Sequence, residues 1–246
     1  MDKRSSFIWS YCMSSFNREK IKEILMPIVM QAYETKDSNL DIRKNTLDIF
    51  SASIDSAIRG ISLQEWESQE RQRQIQKTLQ NQIGELHQKV LGTLEGVSDL
   101  GVSQVVDLEG SGFIAEVKNK HNTTKGNHKI AIYDDLADRL ANKDENTIAY
   151  YVEILPVNGK SYDKPFVPSD NRTRNRRKEN PRIRQIDGQS FYTKITGNPN
   201  SLNELYWLLP DIINEILREK YGINQNTEDY IDQSEFDNIY NRKSKD

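Results

Sequence analysis

The chain has 246 residues, of which 29% are charged and 35% hydrophobic, with a net charge of −3. That length holds one large domain, or a catalytic domain with a helical appendage, and a charge total this close to zero leaves any nucleic-acid partner to be argued from distribution. The one cysteine, Cys12, excludes an internal disulfide and a cysteine-built zinc site. No apolar run approaches the roughly 18 residues of a membrane span. The N-terminal MDKRSSFIWSYCMSSFNREK lacks the apolar core of a signal peptide, so a cytoplasmic chain without membrane association is expected.

Helical periodicity begins over 18–34, where Ile21, Ile24, Leu25, Ile28 and Val29 recur at three- and four-residue spacing and Pro27 is expected to bend or divide the helix. A second helix is predicted over 41–59 from Ile42, Leu47, Phe50, Ile54 and Ile58. Ser62-Leu-Gln-Glu65 has the form of a capping box, in which hydroxyl and carboxylate satisfy reciprocal backbone donors at a helix start. The helix it opens carries a stripe of Leu79, Ile83, Leu86, Val90 and Leu94. The polar run Gln69–Gln76 is where a break or a solvated middle is expected.

After Gly96 the pattern turns to strands. Ser103–Leu108 and Phe113–Lys118 flank the turn signal Glu109-Gly-Ser-Gly112 and read as a hairpin. A helix follows at 128–142 with Ile132, Leu136 and Leu140 on one side, and then TIAYYVEIL, Thr147–Leu155, the most strand-like run of the chain. Residues 156–182 are loop-like, short elements occupy 183–196, and an amphipathic helix over 201–220 contains Pro210. From about 222 the chain is acidic and weakly apolar, and a loosely attached or disordered extension is expected. The order of elements predicts an α/β fold with a small mixed β-sheet flanked by helices.

The hairpin holds the chemistry. With the turn at Glu109–Gly112, Leu108 faces Phe113, and Ile114, Glu116 and Lys118 share one face because side chains alternate. Asp107 on the neighbouring strand points to that face, diagonal to Glu116. Two carboxylates close together repel unless a divalent cation stands between them. Hard oxygen donors suit Mg²⁺, which binds phosphate oxygens and acidifies a bound water. Lys118 then orients or deprotonates the attacking water, or neutralises developing charge. A Glu-x-Lys by itself is common on solvated strands; the hairpin, Asp107 and the apolar lead-in are what point to phosphodiester hydrolysis.

An acidic residue, a turn and then Glu-x-Lys on the next strand resembles the PD-(D/E)xK nuclease superfamily. The longer run Glu116-Val-Lys-Asn-Lys-His-Asn-Thr123 is similar to type II restriction endonucleases that cleave GGNCC-type sites. So are Gln82-Ile-Gly-Glu-Leu-His-Gln88, Gly159-Lys-Ser-Tyr162, Phe191-Tyr192, Ile195-Thr-Gly197 and Leu209-Pro210, in the same order over roughly 39–217. The resemblance implies a homodimer that cuts both strands of a short palindrome in double-stranded DNA with Mg²⁺. Joined to the patterning above, it divides the chain into an N-terminal helical region over 1–78, a PD-(D/E)xK core over 79–221 with a DNA-recognition loop at 156–184, and the acidic extension 222–246. In the group's pattern the first acid stands before a Val-Val pair. Here Gln104-Val-Val-Asp107 puts it after the pair, so Asp107 and Gln104 compete for the second metal-ligand position.

Other candidates surround this pair. Glu85 lies on the preceding helix and either supports the metal or is an exposed helix glutamate. His87, bordering the apolar stripe, and Gln88 either support the site or pack. Lys120, His121, Asn122 and Thr123 leave the sheet where phosphates can be met. The clearest electrostatic feature is Arg172, Arg174, Arg176, Arg177, Lys178, Arg182 and Arg184, with Lys160 ahead of it and Glu179 the one acid inside. Such a run is either a solvated arm or a DNA contact, since Arg suits phosphates and guanine edges. A structure-specific or repair nuclease, and a non-cleaving DNA-binding relative, are the alternatives to a restriction enzyme.

Overall fold

The computed structural model describes residues 14–35, 48–101, 106–122, 124–169 and 175–240. Among the described residues four helices come first: α1 (Arg18–Thr35), α2 (Ile49–Arg59), α3 (Leu63–Gly84) and α4 (Leu86–Leu91). Pro27 is accommodated inside α1. The predicted capping serine starts α3, its hydroxyl accepting from the Glu65 amide at 3.1 Å. The helix continues through the glutamine-rich run and breaks at Gly84 instead, where Glu85 separates it from α4. The break falls where glycine weakens the helix, because a run of glutamine, glutamate and arginine, good helix formers, has no reason to leave it.

Among the described residues six strands form one sheet in the order β1-β2-β3-β4-β6-β5. They are β1 (Val97–Asp99), β2 (Leu108–Gly110), β3 (Phe113–Lys120), β4 (Ile148–Leu155), β5 (Asp163–Pro165) and β6 (Ile183–Asp187). The central trio β3, β4 and β6 is parallel and the outer pairs are antiparallel. Helix α5 (Gly126–Ala141) crosses from β3 to β4, and α6 (Gly188–Thr196) and α7 (Ser201–Tyr221) follow β6.

The sheet is covered on both faces, which explains the apolar runs of its inner strands. Ala115, Val117, Tyr150, Val152, Ile154 and Ile186 pack with Ile21 and Leu25 of α1, with α4, and with Leu202, Leu205, Ile212 and Ile216 of α7. On the other face Ile114, Ala149, Tyr151 and Ile183 pack with Tyr133, Leu136 and Leu140 of α5. Helix α1 therefore belongs to the core of the sheet domain. Helix α2 does not: Phe50, Ile54 and Ile58 are 79%, 62% and 79% exposed. Its inward face is made by Ala52 and Ser56, small residues that allow close approach to a neighbour.

Two expectations are corrected. The hairpin turn uses two residues, Ser111 and Gly112, so Gly110 faces Phe113 and Leu108 faces Ala115. Gly112 takes φ 75°, a conformation that favours glycine and suits a two-residue hairpin loop. The first strand is correspondingly short and starts at Leu108; residues 102–105 lie outside the described residues. Nor is the acidic extension loose as far as Tyr240. A short helix, α8 (Gln233–Tyr240), seats Phe236 at 4% exposure against Tyr206 of α7, with ring centroids 5.2 Å apart. The Trp207 indole donates to Gln233 at 2.7 Å. Aromatic side chains at four-residue spacing, Phe236 and Tyr240, outweigh the acidic composition.

Candidate active site

The antiparallel ladder between β2 and β3 ends at Leu108, and Asp107 stands just beyond it. The Asp107 amide still donates to the Ala115 carbonyl at 3.0 Å. Its carboxylate takes over as partner of the next strand, accepting from the Val117 amide at 2.7 Å. This fixes the Asp107 carboxyl against the backbone between Glu116 and Lys118. The Glu116 and Asp107 carboxyls lie within hydrogen-bonding reach of each other. The Lys118 ammonium closes the group, 2.5 Å from Glu116 Oε1. Glu116 is 14% exposed and Lys118 33%, so the carboxyls sit below the surface and the amine opens toward solvent.

Electrostatics bear on the protonation of this pair. Burial, and then the neighbouring Asp107 charge, push the Glu116 carboxyl from its usual 4.5 up to about 7. Burial raises Asp107 as well, against the pull of the Val117 amide and of Lys118, while Asp99 nearby adds to the rise. Two buried carboxyls in contact share a proton or hold a cation. Their oxygen chemistry fits Mg²⁺, which asks for one or two carboxylates and keeps its remaining waters. Among the described residues no third His, Cys, Asp or Glu joins them into a larger metal-binding group.

The supporting candidates divide. Gln88 is buried, and its amide donates to Asp99 at 2.7 Å, one residue from where the Leu100 amide meets the Asp107 carbonyl at 2.9 Å. It braces the strand beside Asp107. Glu85 pairs with Lys89 at 2.9 Å on its own helical turn and is 44% exposed, the ordinary surface reading. His87 is packed: it shares a 2.9 Å hydrogen bond with the Tyr192 hydroxyl, and burial holds its imidazole down at about 4, neutral. Lys120 ends β3, which runs two residues further than the sequence indicated. The His121 ring is held by its Nδ1, 3.3 Å from the Leu155 carbonyl, and Asn122 is exposed. Gln104 and Thr123 lie outside the described residues.

The basic segment is more engaged than its composition suggests. Arg177 makes a two-pronged contact with Asp134 at 2.8 and 2.6 Å. Arg182 donates to the carbonyls of Asp144 and Glu145 at 3.1 and 3.0 Å. Arg184 grips the side chain and carbonyl of Asp163 at 2.5 and 2.8 Å. These three hold the segment to the domain, which narrows the expectation that they all face DNA. Lys160 and Arg176 are exposed, and Arg172 and Arg174 lie outside the described residues.

Sequence reasoning did not single out a second polar group on the same sheet face. Glu153 is the register partner of Lys118 on β4 and is fully buried. Its carboxylate accepts from Lys129 Nζ at 2.8 Å, the Tyr162 hydroxyl at 2.5 Å and Gln185 Nε2 at 2.8 Å. Burial works against its charge, yet these donors outweigh it and hold the carboxyl below its ordinary value. The signal was present in the sequence: one acid inside the apolar run TIAYYVEIL must be partnered.

Comparison with known proteins places the chain among restriction enzymes. A family model described as Eco47II restriction endonuclease matches residues 14–218. The type II restriction enzyme Eco47II of Escherichia coli is 39% identical over 202 residues, covering 79% of this chain and 84% of the relative. The type II restriction enzyme Sau96I of Staphylococcus aureus is 31% identical over 182 residues, covering 72% and 69%.

Proposed function

The chain belongs to the Eco47II restriction endonuclease family and is a type II site-specific deoxyribonuclease; from that premise we propose that Asp107, Glu116 and Lys118 form its active site, working with Mg²⁺ on a GGNCC-like sequence. The observation that carries the assignment is the carboxyl pair joined to one ammonium across a single hairpin, with Glu116 pushed up to about 7 by burial and by Asp107. A pair in that condition is poised to exchange its proton for a cation.

Asp107 and Glu116 hold the metal. When bound, Mg²⁺ supplies charge at a phosphate oxygen and acidity to a water. The Val117 amide keeps the Asp107 carboxylate from rotating away. Lys118, half out of the site, orients the attacking water and offsets the negative charge that grows as the new P–O bond forms and the old one breaks. Lys120, His121, Asn122 and Thr123, at the end of the catalytic strand, meet the backbone beside the cut. Lys160 and Arg176, with Arg172 and Arg174, supply the positive surface of the recognition segment. Cutting both strands of a palindrome with one such centre per chain takes two copies, and we assign the active form as a homodimer.

The test is digestion of a plasmid of known sequence with Mg²⁺, with sedimentation of the enzyme in parallel. Discrete fragments whose ends map to a GGNCC-like palindrome, and a particle of two chains, are expected. A smear, or cleavage directed by branched structure, refutes the site-specific reading.

A further inference from the structure

The basic segment leaves the sheet after β5, which pairs antiparallel with β6, and returns to it as β6. Its outgoing stem carries Tyr162 and its returning stem carries Gln185. Both are bound to one buried carboxylate, Glu153, at 2.5 and 2.8 Å. A third bond, from Lys129 at 2.8 Å, ties in α5, the helix that follows the catalytic strand directly. The stems are joined again next door. The Tyr162 amide donates to Asp187 Oδ2 at 2.6 Å, and the Asp187 amide returns a bond to the Tyr162 carbonyl at 3.0 Å. Asp187 is itself fully buried and caps α6 through the Ser190 amide at 3.0 Å.

A buried ion pair is a poor device for stability, since an apolar packing of the same volume often does as well. What a fully satisfied charged hub does well is hold several elements in one relative position. The elements held here are both stems of the basic segment, α5, and the strand position beside Lys118. On the reading of this chain as a site-specific nuclease, we propose that Glu153 and Tyr162 are positioning residues for recognition: they fix the basic segment relative to the scissile centre, so that base contacts and cleavage register on the same phosphate. Tyr162 lies in the Gly159-Lys-Ser-Tyr162 stretch that carried part of the family resemblance without a role attached. The geometry gives it one: its hydroxyl is committed to Glu153 and its backbone to Asp187.

The test compares Tyr162→Phe with the wild type. This change removes one oxygen and leaves the ring, and it avoids depriving the part-buried Lys129 of its charge partner, as Glu153→Gln would. Hydrogen exchange over 160–169 and 175–185 should accelerate while the central strands stay protected. KM for the cognate site should rise and discrimination against a site differing by one base should fall, by roughly tenfold or more for a hydrogen bond to a charged group. kcat at saturating DNA should stay within about threefold. Wild-type exchange, KM and discrimination would overturn the proposal. So would a fall in kcat at unchanged KM, which would place the hydroxyl at the reacting atoms. If the wild type itself cuts without site preference, the site-specific reading fails, while the exchange measurement still judges the clamp.

Discussion

The strongest consequence of the carboxyl pair is measurable without DNA. In the metal-free protein Glu116 keeps its proton up to about pH 7, whereas an unfolded chain releases it near 4.5. Between those values the native state holds the extra proton, so raising the pH through this window weakens it. A rise of this size corresponds to at most about 3 kcal/mol, or roughly 6–12 °C in Tm for a domain of this length. His87 acts in the opposite sense. Its imidazole is held down at about 4 from 6.5, so the unfolded chain takes up a proton the native state refuses, and stability falls as pH drops through that range. The two trends offset each other below pH 6.5, and the observable is the difference between wild type and Glu116→Gln. Without divalent metal, thermal melts should show the variant gaining on the wild type from pH 5 to about 7 and the difference levelling off above that. Millimolar Mg²⁺ should then restore the wild type at pH 8, do little at pH 5, and leave the variant nearly unmoved. A difference that is flat with pH, or equal stabilisation of both proteins by Mg²⁺, would refute the reasoning.

Other expectations concern the frame around the site. Replacing His87 by Phe should cost about 1–3 kcal/mol at pH 7, through the Tyr192 hydroxyl left without its partner, and should flatten the Tm profile between about pH 6.5 and 4; a variant with an unchanged slope there would reassign it. Phe236→Ala should cost about 3–5 kcal/mol and release α8, seen as faster exchange over 233–240 with the sheet unchanged. Gln88→Leu breaks the bond to Asp99; it should lower cleavage more than it lowers Tm, and equal wild-type cleavage would show that β1 needs no brace.

Much of this was legible in the sequence, for a reason that lies in the pleat. The predicted hairpin register was wrong by two residues, because the turn closes on Ser111 and Gly112 and leaves Glu109 and Gly110 in the ladder. A slip of two preserves the face of every side chain, whereas a slip of one would have reversed it. Asp107 therefore still met Glu116. The apolar runs of β4 and α7 were equally clear, since burial on both sides leaves little else for them to be. What stayed hidden depends on distant partners. Nothing local to Lys129 says that it reaches Glu153, 24 positions away, and nothing in α2 says that Phe50, Ile54 and Ile58 face outward while Ala52 and Ser56 face in. Arginines at 177, 182 and 184 read as a free basic arm until the structure supplies Asp134, Asp144, Glu145 and Asp163 as their acceptors.

The central claim is that Asp107, Glu116 and Lys118 cut DNA while other residues find the site. Its most direct test sets cleavage beside binding for Glu116→Ala and Lys118→Ala on one plasmid and one duplex carrying the mapped site. The account predicts that both variants lose Mg²⁺-dependent cutting by about a hundredfold or more, while still binding that duplex over an unrelated one when Ca²⁺ replaces Mg²⁺. Cutting at the wild-type rate by either variant would contradict it.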